Sequence, residues 1–305
     1  MSIVRAGGHV ERKVGLVGVG IMGSAIGANL LKAGFTVIGC DVDMARTQAL
    51  SAAGGIAAGS PREVAEQANV VITLLPGVDI LHEVITAPNG LIAANNRKLM
   101  VADCGTFDIA GKERCRAVLE VAGMAMLDCT ISGTGAQAKT GDLVVYASGS
   151  ESLYLTCLPV FSAFARASHY VGVFGNGSKV KYIANLLVAI HTVATAEAMV
   201  LAQRAGLDLQ AVYDLVTSGA ATSRMFEVRG PSMVAGEYDK NVASKLELWQ
   251  KDMLVIGGFA KALNCPVPLF AQSAQLYNAA IGKGCGKLDM AAICTVLEGL
   301  AGIER

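Results

Sequence analysis

Residues 14–41 read VGLVGVGIMGSAIGANLLKAGFTVIGCD, and the spacing of their glycines restricts the fold more than any other feature of the chain. A short apolar run stops at Gly18-Val19-Gly20-Ile21-Met22-Gly23; a helical pattern with Ile26, Leu30 and Leu31 follows and ends at Ala33-Gly34. A second β-rich run over 35–40 closes on Asp41. In such a strand, loop, helix, strand unit, Gly18 makes the tight turn, Gly20 lets the backbone approach a pyrophosphate, and Gly23 lets helix and strand pack closely. Phosphates then lie at the positive end of the helix dipole, against Ile21 and Met22. A glycine motif alone is weak evidence in a chain with 35 glycines; the elements around it give it weight.

Asp41 at the strand tip is placed to accept from both ribose hydroxyls of NAD and to repel the extra phosphate of NADP. Its plainer reading is a turn residue at a strand end. Arg46 nearby keeps NADP as the alternative cofactor.

The alternation continues. VVITLLP (70–76), KLMVADC (98–104), AMLDCTI, LVVYASG and ASHYVGVFG each read as buried strands separated by helix or loop, which predicts an α/β fold with a doubly wound, mostly parallel sheet. Ligands of such sheets bind beyond the carboxyl ends of the strands, so Leu75, Pro76 and Thr106 are expected to rim a cofactor. From about Gly175 no convincing strand appears, and helical periodicity runs over 180–204, 209–218, 243–263 and 271–281. The expectation is a Rossmann-type domain over 1–174 and an all-α domain over 175–305, joined by one long helix.

Composition narrows the function classes. Lys plus Arg and Asp plus Glu both total 25 and neither sign forms a block, which argues against nucleic acid or an anionic membrane as a partner. The eight cysteines form no C-x-x-C pair and the four histidines lie far apart, so no metal site is expected; thiols in apolar segments suit a reducing, cytoplasmic compartment. The opening MSIVRAGGHVERK carries no apolar run of the kind a secretory leader needs. The apolar stretch IANLLVAIHTVATAEAMVLA, interrupted by His191 and Glu197, suits helix packing better than lipid.

The segment GNGSKVKYIANLL places Ser178 as a candidate N-cap and sets Lys181 and Asn185 four apart, on one helix face. A lysine in a first turn feels the positive end of the dipole, which favours its neutral form and would suit it to general-base work. The other reading of Lys179 and Lys181 is a solvated pair of surface lysines.

Taken in order, GVGIMG, TLLP, DCGTFD, DCTISGTGAQAKTGDL, GNGSKVKYIANLL and WQKDM span nearly the whole chain. In this it resembles the β-hydroxyacid dehydrogenase family, which includes 3-hydroxyisobutyrate dehydrogenase and 2-hydroxy-3-oxopropionate reductase and is related to 6-phosphogluconate dehydrogenase. The resemblance implies that Lys181 is the catalytic lysine and that Asn185 helps hold it and the substrate. It implies that Ser132 and Gly133 grip the substrate carboxylate, that Thr106 stands beside the nicotinamide, and that Lys251 and Asp252 close on cofactor and substrate. It further implies a small hydroxy acid or semialdehyde as substrate and a homodimer or homotetramer.

Four positions depart from the family pattern. The usual Ser-Gly-Gly reads Ser132-Gly133-Thr134, the proline two before the serine is Thr130, an aromatic eight before the aspartate is Ser244, and Ser-Thr is Gly105-Thr106. Hydroxyls at Thr134 and Ser244 point to a more hydroxylated substrate than 3-hydroxyisobutyrate, an aldonate such as threonate. A carbonyl or imine reductase of the same fold, and a non-catalytic NAD(H) sensor or scaffold, are the other readings.

Overall fold

In the computed structural model the described residues are 12–240 and 242–304. The opening segment up to residue 11 lies outside them, and with it most of the stretch on which the expectation of no secretory leader rests. The chain packs as two compact units, one ending at Lys181 and the other beginning at Tyr182.

In the first unit eight strands form one sheet: β1 (Lys13–Val17), β2 (Thr36–Cys40), β3 (Ile56–Ala57), β4 (Val70–Thr73), β5 (Met100–Asp103), β6 (Ala125–Ser132), β7 (Val144–Ser148) and β8 (Ala167–Tyr170). Their order is β3-β2-β1-β4-β5-β6-β7-β8, and every neighbouring pair is parallel except β6 with β7. The helices are α1 (Ile21–Lys32), α2 (Met44–Ala52), α3 (Pro61–Gln67), α4 (Val78–Thr86), α5 (Ile109–Val121), α6 (Gly135–Lys139) and α7 (Glu151–Phe164). Successive strand residues point to opposite faces, so Leu16 joins Ile26, Leu30 and Phe161 in one core while Val17 joins Ile38, Leu81 and Leu119 in the other. Both faces are covered, as a doubly wound sheet requires.

The long helix α8 (Asn176–Arg204) runs through the division between the units. In the second unit follow α9 (Leu209–Ser218), α10 (Arg224–Ala235), α11 (Leu246–Ala262), α12 (Pro268–Gly282) and α13 (Cys294–Leu300). Helix α8 is long and apolar enough to cross a membrane. One face of it is nevertheless core: Ala189, Ala196 and Met199 are fully buried, and the buried Tyr277 hydroxyl donates to the Ala189 carbonyl at 3.2 Å.

The structure departs from the sequence expectation at strands β3 and β8 and at helices α10, α11 and α13, the last only seven residues long and too short to show a period. Strand β3 is an exposed two-residue edge with no periodicity to read. Strand β8 ends at Tyr170 because Asn176 Nδ2 donates to the Val171 carbonyl and turns the chain into α8. Helix α11 begins at Leu246, after Lys245 pairs with Asp289 in an isolated bridge. Helix α10 was hidden by Gly230-Pro231. Proline at 231 removes the N–H that would bond the Glu227 carbonyl, and the Tyr213 hydroxyl donates to that carbonyl instead, at 3.1 Å.

Seven of the eight cysteines are buried and none is disulfide-bonded. Burial pushes the Cys40 and Cys157 thiols up to about 12 and Cys115 to about 11, so they pack as neutral small hydrophobes.

Candidate active site

The sheet changes winding direction between β1 and β4, and the residues expected at a cofactor gather at the carboxyl ends of these strands. The glycine loop follows β1, Leu75 and Pro76 follow β4, and Thr106 follows β5. Gly18 has φ +93°, and a Cβ there would collide with the Leu74 carbonyl; a Cβ on Gly23 would collide with the Gly18 carbonyl. Helix α1 therefore starts as close to β1 as backbone allows. Its N-cap is Gly20 and no side chain caps it, which leaves first-turn N–H groups at Ile21 and Met22 to face an anion. The cradle fits a dinucleotide pyrophosphate.

Asp41 is braced for the same ligand. Its Oδ2 accepts from Val19 N–H at 2.7 Å and its Oδ1 from Asp43 N–H at 2.9 Å. The Arg46 guanidinium stands 3.4 Å from Asp41 and 3.2 Å from Asp43, alongside Gly20. A carboxylate for ribose hydroxyls and a cation within reach of a 2′-phosphate thus share one corner.

Below the other end of this edge lies a feature the sequence reading missed. Asp103 on β5 and Asp128 on β6 are in direct register, two carboxylates side by side in a fully buried position. Lys112 of α5, also fully buried, bridges them at 2.8 and 2.7 Å and donates to the Gly105 carbonyl at 2.6 Å. Thr73 Oγ1 donates to the Asp103 carboxylate at 2.7 Å. Burial alone would favour the neutral amine, but the two carboxylates outweigh it and hold the ammonium well above the ordinary lysine range. A raised lysine value means that this stabilisation is present below the unfolded pKa and is lost only as pH rises through the folded one, so it holds throughout the neutral range.

Asp128 also caps α8. Its Oδ2 accepts from Ser178 N–H at 2.7 Å, its Oδ1 from the Ser178 hydroxyl at 3.0 Å, and Gly177 N–H donates to Ser148 Oγ at 2.9 Å. This corrects the sequence reading of Ser178 as N-cap: the helix starts at Asn176, Ser178 is inside the first turn, and a carboxylate from the sheet takes the free N–H. Lys181 consequently stands in the second turn, beyond a helix end already met by negative charge. The dipole argument for its neutral form loses its basis, since that effect fades within one turn. Thr130 acquires a role in the same place: its buried hydroxyl donates to the Gly177 carbonyl at 2.8 Å, a bond the family's usual proline could not make.

Strand β6 therefore serves as a ruler. Asp128 and Thr130 pin the first turn of α8, and Ser132 stands at the strand's carboxyl end, followed by Gly133 and Thr134. Thr134 is the N-cap of α6 in a capping box with Gln137, so the hydroxyl read as a substrate contact is engaged with Gln137 N–H and Oε1.

In the second unit, Asn185 is buried and its Nδ2 donates to Asp252 Oδ2 at 3.1 Å; Lys251 Nζ lies 3.4 Å from Asp252 Oδ1. The structure brings these three together on α8 and α11. Ser244 lies in the turn before α11, where its N–H and that of Ala243 donate to Asp289, itself paired with the buried Arg229. Among the described residues no cluster of His, Cys, Asp and Glu could hold a metal ion.

Comparison with known proteins agrees with this geometry. The family model for the NAD binding domain of 6-phosphogluconate dehydrogenase matches residues 13–172. That for the NAD-binding domain of NADP-dependent 3-hydroxyisobutyrate dehydrogenase matches 175–297. The chain is 33% identical to L-threonate dehydrogenase of Cupriavidus necator, over 95% of this chain and 98% of that one. It is 27% identical to 2-(hydroxymethyl)glutarate dehydrogenase of Eubacterium barkeri, over 96% and 97%. Among solved structures, 3-hydroxyisobutyrate dehydrogenase from Salmonella typhimurium superposes with a TM-score of 0.84 at 32% identity, covering 93% of this chain and 99% of that one.

Proposed function

The chain belongs to the β-hydroxyacid dehydrogenase family, and from that premise we propose that it oxidises a short polyhydroxylated acid of the threonate class, with NAD preferred and Lys181 as the general base. Similarity to L-threonate dehydrogenase along nearly the whole chain supports the substrate class. The observation that carries the catalytic assignment is the pinning of α8 to β6, which sets Lys181 and the Ser132-Gly133 loop from one strand.

Bound NAD(P) supplies the hydride acceptor. Lys181 takes the proton of the reacting hydroxyl as hydride leaves the same carbon, and returns it in the reductive direction. Ser132 Oγ and the N–H groups of Gly133 hold the carboxylate. Asn185, one turn beyond Lys181 and tied to Asp252, orients the substrate hydroxyl and the lysine. Holding the carbon against the acceptor in this way can supply several kcal/mol of barrier lowering. Free, buried thiols support a cytoplasmic setting, and family membership supports a homodimer or homotetramer.

The experiment is a panel of 3-hydroxyisobutyrate, glycerate, serine, threonate and 4-hydroxybutyrate with each oxidised cofactor. A kcat/KM for threonate above that for 3-hydroxyisobutyrate is expected. The reverse order sinks the substrate class, and NADH binding without turnover on any acid or on the matching aldehydes would favour a sensing role. The cofactor corner gives a second expected result: Asp41→Asn lowers the NAD over NADP ratio of kcat/KM by about tenfold or more, because a like-charge juxtaposition is removed and Arg46 is freed for the 2′-phosphate. An unchanged ratio removes Asp41 as the discriminating group.

A further inference from the structure

The buried lysine of α5 has no part in the chemistry described so far. It is fully buried, donates to the Gly105 carbonyl and to Asp128, and is ion-paired with Asp103 as well. Those partners are informative. Gly105 immediately precedes Thr106, the residue expected beside the nicotinamide. Asp128 holds the first turn of α8 through both the N–H and the hydroxyl of Ser178, three residues before Lys181. Asp103 is the last residue of β5, from which the Gly105-Thr106 loop departs.

We propose that Lys112 is a positioning residue for the reaction: its ammonium, held between Asp103 and Asp128, fixes the Gly105-Thr106 loop and the first turn of α8 at one spacing, and so sets where Lys181 meets the substrate. The inference rests on the reading of Lys181 as general acid/base. Three features favour it over a purely structural role. Without a cation, two carboxylates in register on adjacent strands repel, so the end of β5 would be pushed from the middle of β6, where the Gly105-Thr106 loop departs. The hydrogen bond to Gly105 is to a loop backbone beyond the last residue of β5, so it ties the buried ammonium directly to the segment that carries Thr106. The cluster carries a net negative charge, and the N-terminus of α8 lies against it, so the charge balance of the lysine bears directly on how firmly that helix end is drawn to β6. A lone stabilising ion pair would need none of these connections to the two catalytic segments. The ammonium also stands 5.6 Å from the Phe107 ring centroid, one residue past Thr106, a further contact to the same loop.

The test compares three variants with the wild type at a temperature well below each melting point, with active sites counted by NADH titration. Lys112→Met combined with Asp103→Asn removes one charge of each sign and keeps Asp128 on α8. Ser178→Ala removes one hydrogen bond from Asp128 and no charge. Lys181→Ala reports on the acid/base reading itself. The double variant is expected to lose about ten- to a hundredfold in kcat per active site, the scale of a misplaced reacting group, with the NAD KM changed less than about threefold. Ser178→Ala is expected to lose about fivefold in kcat; a wild-type kcat there breaks the link from Asp128 to Lys181 and overturns the inference even if the double variant does not fold. Variants that melt lower but keep wild-type kcat, beside an inactive Lys181→Ala, overturn the positioning role alone. An active Lys181→Ala overturns the acid/base reading and the inference with it.

Discussion

Lys181→Ala lowers kcat for hydroxy acid oxidation by roughly two to four orders of magnitude, the scale of a lost general acid/base, while NADH affinity stays within about threefold. The fold should tolerate the change. The first turn of α8 is anchored by Asp128, Ser148 and Thr130, and alanine is the best helix former for the second turn. The cofactor cradle at α1 is a separate element of the first unit, so its affinity reports that the sheet is intact. The pH profile sharpens the measurement: the limb of kcat that reports the base should disappear in the variant, and a small primary amine added to the assay should restore part of the rate. Turnover within fivefold of wild type would remove Lys181 from the proton transfer. Loss of NADH binding together with loss of turnover would assign it to holding the cofactor.

The parts of the molecule that were legible in the sequence are those where one physical requirement dictates residue type. A glycine loop that must bring α1 against β1 admits no side chain at Gly18 or Gly23, and strands buried on both faces must be apolar, so β1, β2 and β4 to β7 were readable. The missed features depend on partners remote in sequence. Lys112 in GKER reads as a solvated helix face, and only the register of Asp103 with Asp128 makes it a buried bridge. A signal existed: MVAD and MLD each end or interrupt an apolar strand with a carboxylate, and two buried carboxylates require a cation from somewhere. Helix α10 was hidden in the same way, because the tolerance of Pro231 depends on a hydroxyl from Tyr213 on another helix. Thr130 departs from the family pattern, but nothing in the sequence pairs its hydroxyl with the carbonyl of Gly177, 47 residues further on.

A second buried ion pair yields the largest expected change in stability. Asp289→Ala should destabilise the helical unit by about 3–5 kcal/mol, read from urea unfolding of that unit, because it leaves the buried Arg229 guanidinium without its counter-ion. The carboxylate does more than neutralise Arg229. It accepts from Ala243, Ser244 and Ala291 N–H at 2.9, 3.2 and 3.0 Å, so three backbone donors lose their acceptor in the same substitution. Asp289→Asn keeps the shape and an acceptor oxygen and should fall between wild type and alanine. The functional consequence is separable from the loss of stability. The turn held by Asp289 leads into α11, which carries Lys251 and Asp252, and Asp252 accepts from Asn185. Released from Asp289, that turn can shift α11, so the folded fraction of Asp289→Ala should show a raised hydroxy acid KM and a smaller change in NADH affinity, because the glycine loop and Asp41 belong to the first unit. A loss below about 1 kcal/mol would mean that water or a rearranged Arg229 replaces the carboxylate, and a normal KM in a destabilised variant would confine Asp289 to holding the fold.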